Sequence, residues 1–571
     1  MTGTTAAPGI RWWRATDGFS LVAAAISIFV AAIIIYPLGW VIIDVFFTGW
    51  RLDRGPFTAL AAEQGLGTLF LNTIMAIGAA SFVAMVIGSI FAWLSERTDV
   101  DMPLLGKTLP IIPLLIPPIA GAIGWVLLAA PRAGFLNNWI SGVSAALGLG
   151  ETGPLLNIFS WPGLIFVYVI YLVPHVYLSV AAGLRNLDPS MEEAARISGA
   201  GPVSILRDVT LPAVMPAVVS GGILAVITGL ALFSVPLIVG GQAGIDILAV
   251  RIVHSMIASY PPKTGVALLL GLAIVVLIGS SWALQRSILR GGRFATISGR
   301  GMRSATVRLG GWRWPARIVM TSYLAISSLL PLLALGIVSV QPFWSATISF
   351  EHLTLKHYAG LFSTNSLAWT GLRNSMLLGI CGATLGMLIA AIISFYVAQN
   401  RDSRLAAFVD GATKLPAAVS HLVVGIAFIS AFAGAPFHLH GTMLILLLAY
   451  LVLYIPQASL TSGAALAQVG RELIEASLIA GASSGTTFMR ITLPLMLSGL
   501  VAGWTMLFVL TAGDITASAM LAGNRNPVSG FVILDLWTNG SFPPLAAFAM
   551  MLTAMLSTVV LVMLGWTGRR R

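Results

Sequence analysis

Stretches of twenty or more apolar residues recur along nearly the whole of this sequence, and they fix its solvent before anything else. Crossing the roughly 30 Å hydrocarbon core of a bilayer takes about 20 apolar residues in a helix. Such stretches lie near 20–46, 66–95, 104–130, 161–184, 212–236 and 264–286, then 317–341, 368–398, 405–433, 441–463, 494–518 and 543–567. They predict twelve membrane helices with no large soluble domain left over. Of 571 residues, 57% are hydrophobic and only 9% charged, with a mean hydropathy of +0.94; a soluble domain carries about a quarter charged residues. The expected fold is therefore all-α and membrane-embedded. The first stretch, Leu21 to Ile43, is too long for a signal-peptide core of about 7 to 15 residues and is expected to be a retained span.

The net charge of +11 is a matter of sidedness. Between the sixth and seventh spans Arg286, Arg290, Arg293, Arg300, Arg303, Arg308, Arg313 and Arg317 occur without one acidic residue. The positive-inside rule places that segment in the cytoplasm. Both termini then fall on the same side, in keeping with Arg11 and Arg14 before the first span and Arg569, Arg570 and Arg571 after the last. Nucleic-acid binders concentrate their cations on a soluble domain, and none is expected here. Cys381 is the single cysteine and lies in an apolar run, which excludes an intramolecular disulfide or a multi-cysteine metal site and reads as a small buried hydrophobe.

The chain repeats itself. Pro174 and Pro456, Glu193 and Glu475, Gly199 and Gly481, Leu211-Pro212 and Leu493-Pro494, Gly221 and Gly503, and Pro261-Pro262 and Pro543-Pro544 are all separated by the same 282 positions. Fainter echoes pair Asn72 with Asn374, Arg97 with Arg401 and Leu109-Pro110 with Leu415-Pro416 at larger offsets. The expected organisation is a first six-span repeat over 1–285, an arginine-rich cytoplasmic linker over 286–316 and a second six-span repeat over 317–571. Because six is even, the halves share one orientation and are related by an axis along the membrane normal, an arrangement that leaves a pathway between them.

One motif is polar, cytoplasmic by the arginine count, and present in both halves. In the first loop, 188–212, Asp188 suits an N-cap, Pro189 the first helical position, Glu192 and Glu193 the positive end of the helix dipole, and Gly199 a left-handed stop. The second loop, 470–494, repeats Glu, Ala and Gly at the same spacing as Glu475, Ala476 and Gly481. A carboxylate beside a flat surface of small side chains lets a partner protein approach closely while reading one charge.

These two loops strongly resemble the cytoplasmic signature of the integral membrane permeases of binding-protein-dependent ABC importers, which runs Glu-Ala-Ala, three residues, Gly, and about a dozen residues later Leu-Pro. Glu193, Ala194, Ala195, Gly199 and Leu211-Pro212 match in the first copy. Glu475, Ala476, Gly481 and Leu493-Pro494 match in the second, with Ser477 departing from the third position. The resemblance covers nearly the whole chain and implies the type I ABC importer permease fold, with about twelve helices in two parallel repeats. It implies that each loop is a coupling helix seated in a cleft of an ATP-binding subunit, so two copies of that subunit, and a periplasmic solute-binding protein that delivers substrate at a bacterial inner membrane. No cofactor is implied for this chain; ATP and Mg would be used by the partner ATPase. The nearest approach to a phosphate-binding loop, Gly106-Lys107-Thr108, has Asp101 where the first Gly belongs. The chain is thus expected to be a transport subunit with no catalytic residue and no resident metal.

The runs Leu237 to Gly241 and Ile247 to Ile252, in a chain that fuses both repeats, resemble the ferric-iron permease group; thiamine, aminoethylphosphonate and polyamine permeases are similar in pattern. Ionisable groups inside a membrane are functional candidates, which singles out Asp514 near the end of the eleventh span and His421 in the ninth as candidates for the substrate path, against a helix-end carboxylate and an interhelical histidine. His438 and His440 lie in a short turn, and two imidazoles alone make a poor metal site. Loops carrying Arg251, His254 and Tyr260, and Asn524, Arg525 and Asn526, are expected to face the donor protein. Of two rival classes, an ion-coupled secondary carrier of twelve spans would place several charges deep in its helices, and a membrane redox enzyme would show paired histidines for haem or a metal-binding helix motif; neither accounts for two Glu-Ala loops.

Overall fold

The computed structural model describes residues 18–48, 51–100, 102, 109–148, 153–291, 306–348, 350–363, 366–400 and 402–568. Arg11, Arg14, Arg293, Arg300, Arg303, Arg401, Arg569, Arg570, Arg571, Asp101 and the stretch 106–108 lie outside the described residues, as does the side chain of Arg290. Among the described residues the structure is helical apart from a two-residue ladder between Phe47–Thr48 and Arg51–Leu52 and an isolated bridge between Thr98 and Val307.

The helices of the first part of the sequence include α1 (Gly18–Phe46), α2 (Leu66–Arg97), α3 (Pro118–Ala129), α4 (Trp161–Asn186), the short α5 (Pro189–Ile197), α6 (Val203–Ala231), the short α7 (Leu248–Ile257) and α8 (Thr264–Leu289). The remainder contributes α9 (Gly310–Val340), α10 (Leu367–Gln399), α11 (Arg404–Ala418), α12 (His421–Phe432), α13 (Met443–Ala467), the short α14 (Arg471–Ile479), α15 (Ser484–Ala512), the short α16 (Ser529–Thr538) and α17 (Phe542–Trp566). Ten of these are long and apolar enough to cross a membrane.

The third and ninth expected spans are not straight. The turn Leu109–Leu115 meets α3 at 99°, and α11 meets α12 at 110°. In the first, Pro117 and Pro118 remove two N–H donors and force the preceding residue out of the helical region. In the second, Val419 is extended and the Ser420 side chain caps the restarted helix by accepting from the Leu422 N–H.

The chain forms two compact units, and neither is one sequence half. One unit comprises 55–366 with 533–553; the other comprises 1–54, 367–532 and 554–571. In the first, α2, α4 and α6 pack on one another, and α9, which opens the second sequence repeat, lies against α3. In the other, α10, α13 and α15 form the same three-helix core, and α1 from the start of the chain lies against α12. The division of the sequence at 286–316 therefore does not coincide with the division in space.

Association of apolar helices in lipid depends on close packing rather than on the exclusion of water, and the repeated glycines supply it. A Cβ at Gly221 of α6 would sit 3.2 Å from the Val176 Cα of α4, and one at Gly503 of α15 would sit 2.8 Å from the Met387 Cε of α10. Gly124 brings α3 against α9, where an added Cβ would lie 2.5 Å from that of Pro331. At 32 residues, α2 is about 48 Å long, well over the ~30 Å of hydrocarbon. That length lets its last turn carry Glu96 and Arg97 to the loop that follows α4.

The repeat also reappears as paired hydrogen bonds. Asn72 Nδ2 donates to the Asp246 carbonyl at 3.2 Å, as Asn374 Nδ2 does to that of Pro527 at 2.9 Å. Thr73 Oγ1 accepts from the Leu248 N–H, as Ser375 Oγ accepts from that of Ser529. These pairs set α10 against α2 at an offset of 302 positions, at which Gln399, not Arg401, is the counterpart of Arg97.

Candidate functional site

Each Glu-Ala loop is a nine-residue helix ended in the same way. Asp188 Oδ1 accepts from the Ser190 N–H at 2.9 Å, and that N–H holds the Asp188 carboxyl below its usual range. At the other end Gly199 takes φ +86°, its N–H donates to the Arg196 carbonyl, and the Ala200 N–H donates to that of Ala195. The pattern is a Schellman stop. Gly481 takes φ +87°, with the Gly481 and Ala482 N–H groups donating to Leu478 and Ser477. A Cβ at either glycine would meet nothing within 4 Å, so the requirement is the left-handed backbone, not space. Beyond each stop lies one π-turn, Leu206–Thr210 and Phe488–Thr492, leading into Leu211-Pro212 and Leu493-Pro494. The wider turn accommodates the prolines, which lack N–H groups, without breaking the helix.

The expected contact residues fall on the outer face. Glu193, Ala194 and Gly199 are exposed in one loop, and Glu475, Ala476 and Gly481 in the other. Ala195 and Ser477 are half-buried and turn toward their own unit; Ser477 Oγ lies 2.9 Å from Thr487 Oγ1. The departure of Ser477 from the family pattern is thus used internally rather than presented to a partner.

Two features are additional to those expectations. Ile197 is 88% exposed and Ile479 is 87% exposed, at positions again 282 apart, although a solvated helix would place polar residues there. Their signal was in the sequence as one more matched pair. Glu192, by contrast, points inward beside the exposed Glu193. Its Oε1 lies 3.2 Å from Arg97 Nε and accepts from Thr210 Oγ1 at 2.8 Å, while Arg97 Nη2 donates to the Leu184 carbonyl at 2.8 Å.

Buried Asp514 and half-buried His421 meet at Tyr454. Asp514 Oδ1 accepts from the Ala517 and Ser518 N–H groups at 3.0 and 3.1 Å, and Oδ2 accepts from the Tyr454 hydroxyl at 2.9 Å. His421 meets the Tyr454 ring edge-to-face at 5.6 Å. At positions 282 earlier, Leu172 and Leu232 stand in place of Tyr454 and Asp514, so the cluster belongs to one half alone.

At the end of α2 remote from Arg97, Glu63, Asp246, Arg251 and Lys263 form linked ion pairs beside a cleft of about 420 Å³ that His254 also lines. The Lys263 ammonium, with Arg251, holds the Glu63 carboxyl below its ordinary value of 4.5 against the opposing effect of burial. A depressed carboxylate contributes stability above its unfolded pKa and loses it as pH falls through the folded one. Glu63→Gln is therefore expected to lower thermal stability at neutral pH, with the gap to wild type closing as pH falls below about 4; melting in detergent across that range checks it. Asn526, expected on a donor-facing loop, is buried instead: its Oδ1 accepts from the Gly523 N–H, and its Nδ2 donates to Thr442 and Leu521. Tyr260 is fully exposed. Among the described residues no three His, Cys, Asp or Glu side chains group as metal ligands.

Comparison with known proteins agrees with the doubled loop. A family model described as the binding-protein-dependent transport system inner membrane component matches residues 76–291 and 382–571. The chain is 24% identical to the ferric transport system permease protein FbpB of Actinobacillus pleuropneumoniae over 92% of its length and 75% of that protein's. It is 22% identical to the Fe(3+)-transport system permease protein FbpB 2 of Haemophilus influenzae, over 85% of this chain and 87% of the relative. A shorter relative, the putative 2-aminoethylphosphonate transport system permease protein PhnV of Salmonella paratyphi A, is 24% identical over 44% of this chain and 92% of its own.

Proposed function

Because the chain belongs to the inner-membrane components of binding-protein-dependent transport systems, we propose that it is the transmembrane subunit of an ATP-driven importer of ferric iron. The observation that carries this reading is the pair of loops with identical stops, exposed Glu-Ala faces and exposed isoleucines. The iron assignment is supported by the two long relatives named for ferric or Fe(3+) transport, each matched over most of its length. Two copies of an ATP-binding subunit take the two loops, a periplasmic solute-binding protein delivers the substrate, and lipid surrounds the apolar helices. ATP and Mg are used by the ATP-binding subunit, and this chain holds no cofactor of its own. The arginine-rich segment 286–316 and the terminal arginines support cytoplasmic termini and loops.

In this mechanism the ATP-binding subunits close on ATP, carry the two loops with them and reorient the helices, passing iron between the two repeats. Glu193 and Glu475 supply one readable carboxylate per loop; Ala194, Ala195 and Gly199, with Ala476, Ser477 and Gly481, supply close approach and fixed shape. For the substrate path we place Asp514 and His421, ionisable groups held inside the helix bundle at a cost that a purely structural site could avoid. Glu193→Ala together with Glu475→Ala is expected to lower iron uptake per ATP hydrolysed at least roughly tenfold, since charge-assisted contacts are worth about 1.5–3 kcal/mol each. Full coupled uptake by the assembled double mutant would remove both loops from the mechanism.

A further inference from the structure

The two loops are held to their own units by different chemistry. In the first, Arg97 at the end of α2 reaches Glu192 of α5, which also accepts from Thr210 at the π-turn, while Arg97 donates to the carbonyl of Leu184 in α4. Both charged side chains are almost wholly enclosed, at 3% and 5% exposure. A second pair, Arg185 with Glu96 at 2.6 Å, ties the ends of α4 and α2 together next to it.

At the offsets that align the repeats, 302 for α2 with α10 and 282 for α4 with α13 and α5 with α14, neither pair exists in the second loop. Arg97 and Glu192 become Gln399 and Ile474; Glu96 and Arg185 become Ala398 and Ala467. All four replacements line one cleft of about 750 Å³ beneath α14, which also borders Arg471, Glu475 and Leu478. Where one buried ion pair clamps the first loop, the second, among the described residues, lies over a cleft.

We propose that Arg97 is a positioning residue that clamps the first coupling helix to α2 and α4, and that the two loops are mechanically unequal as a result. A buried ion pair satisfied on both sides fixes one geometry, and removing one partner leaves an uncompensated charge. Motion imposed on α5 passes directly into α2 and α4. Motion imposed on α14 is partly absorbed by displacement into the cleft. This rests on the coupling role of the loops.

The test uses the permease reconstituted with its ATP-binding subunit and an iron-loaded binding protein, reading iron transported per ATP. Arg97→Gln with Glu192→Ile transplants the second half's own pair into the first and leaves no buried charge. It is expected to lower the ratio roughly tenfold. The reciprocal Gln399→Arg with Ile474→Glu, added to that background, is expected to restore much of the loss. Thr210→Val, which removes one bond to Glu192 without unburying a charge, is expected to lower the ratio about threefold and provides the reading if the transplant does not assemble. An unchanged ratio in the assembled transplant, or in Thr210→Val where the transplant fails, overturns the clamp. Glu193→Ala is run beside them: if it lowers the ratio while the transplant does not, the clamp falls and the coupling role stands; if neither does, the coupling role falls first.

Discussion

Replacing Ile197 and Ile479 together by Asp is expected to strip the ATP-binding subunits from the permease while leaving the permease folded. Both side chains are nearly fully exposed within the chain, so their removal takes away almost no internal packing. Buried in a partner's cleft, each would contribute about 1.5–3 kcal/mol, and a carboxylate forced into the same place adds a desolvation cost. The combined loss per loop corresponds to roughly a hundredfold or more in affinity. The check is the amount of ATP-binding subunit that copurifies, with monodispersity of the permease as the control for folding. Undiminished copurification would mean that the matched isoleucines face something other than that partner.

A second large effect is expected at Asp514, where fold and transport can be separated. Asp514→Ala leaves the Ala517 and Ser518 N–H groups and the Tyr454 hydroxyl without their buried acceptor. At about 1–3 kcal/mol for each of three stranded donors, the loss is roughly 3–9 kcal/mol in all, enough to lower yield and melting temperature together. Asp514→Asn keeps an oxygen for the two N–H groups and lets the phenol oxygen accept from the amide, so the fold is expected to survive. Its transport is not: with the charge gone, a path that relies on this carboxylate should lose most of its iron flux. Wild-type uptake by Asp514→Asn would reduce Asp514 to a structural role in the segment it caps.

Much of this architecture was legible because it rests on composition and spacing. The apolar runs located the spans, and one constant offset exposed the repeat and both loops down to the glycines that need positive φ. What escaped is what a hydropathy window cannot register. The apolar run through 104–130 continues across Pro117-Pro118, so its 99° bend leaves hydropathy unchanged. The grouping of α1 with α12 and of α9 with α3 depends on long-range packing that no local pattern encodes.

At the loops, Glu192 and Glu193 are neighbours of one chemistry, and only Arg97, almost a hundred residues earlier in the chain, determines which faces inward. Matching Arg97 with Arg401 by residue type concealed the difference between the loops. The hydrogen bonds of Asn72 and Asn374 correct the register by two residues and bring Gln399 opposite Arg97. The dense bonding around Asp514 was equally hidden, since the Tyr454 hydroxyl that supplies it comes from another helix.

Coupling of ATP hydrolysis to iron import through the two exposed loops is measured in proteoliposomes. With the ATP-binding subunit inside and ferric-loaded binding protein outside, iron uptake is expected to require ATP, to require the binding protein, and to rise together with stimulated hydrolysis. Iron uptake that follows an imposed ion gradient, with no ATP-binding subunit bound and no response to ATP, would contradict it and identify an ion-coupled carrier instead.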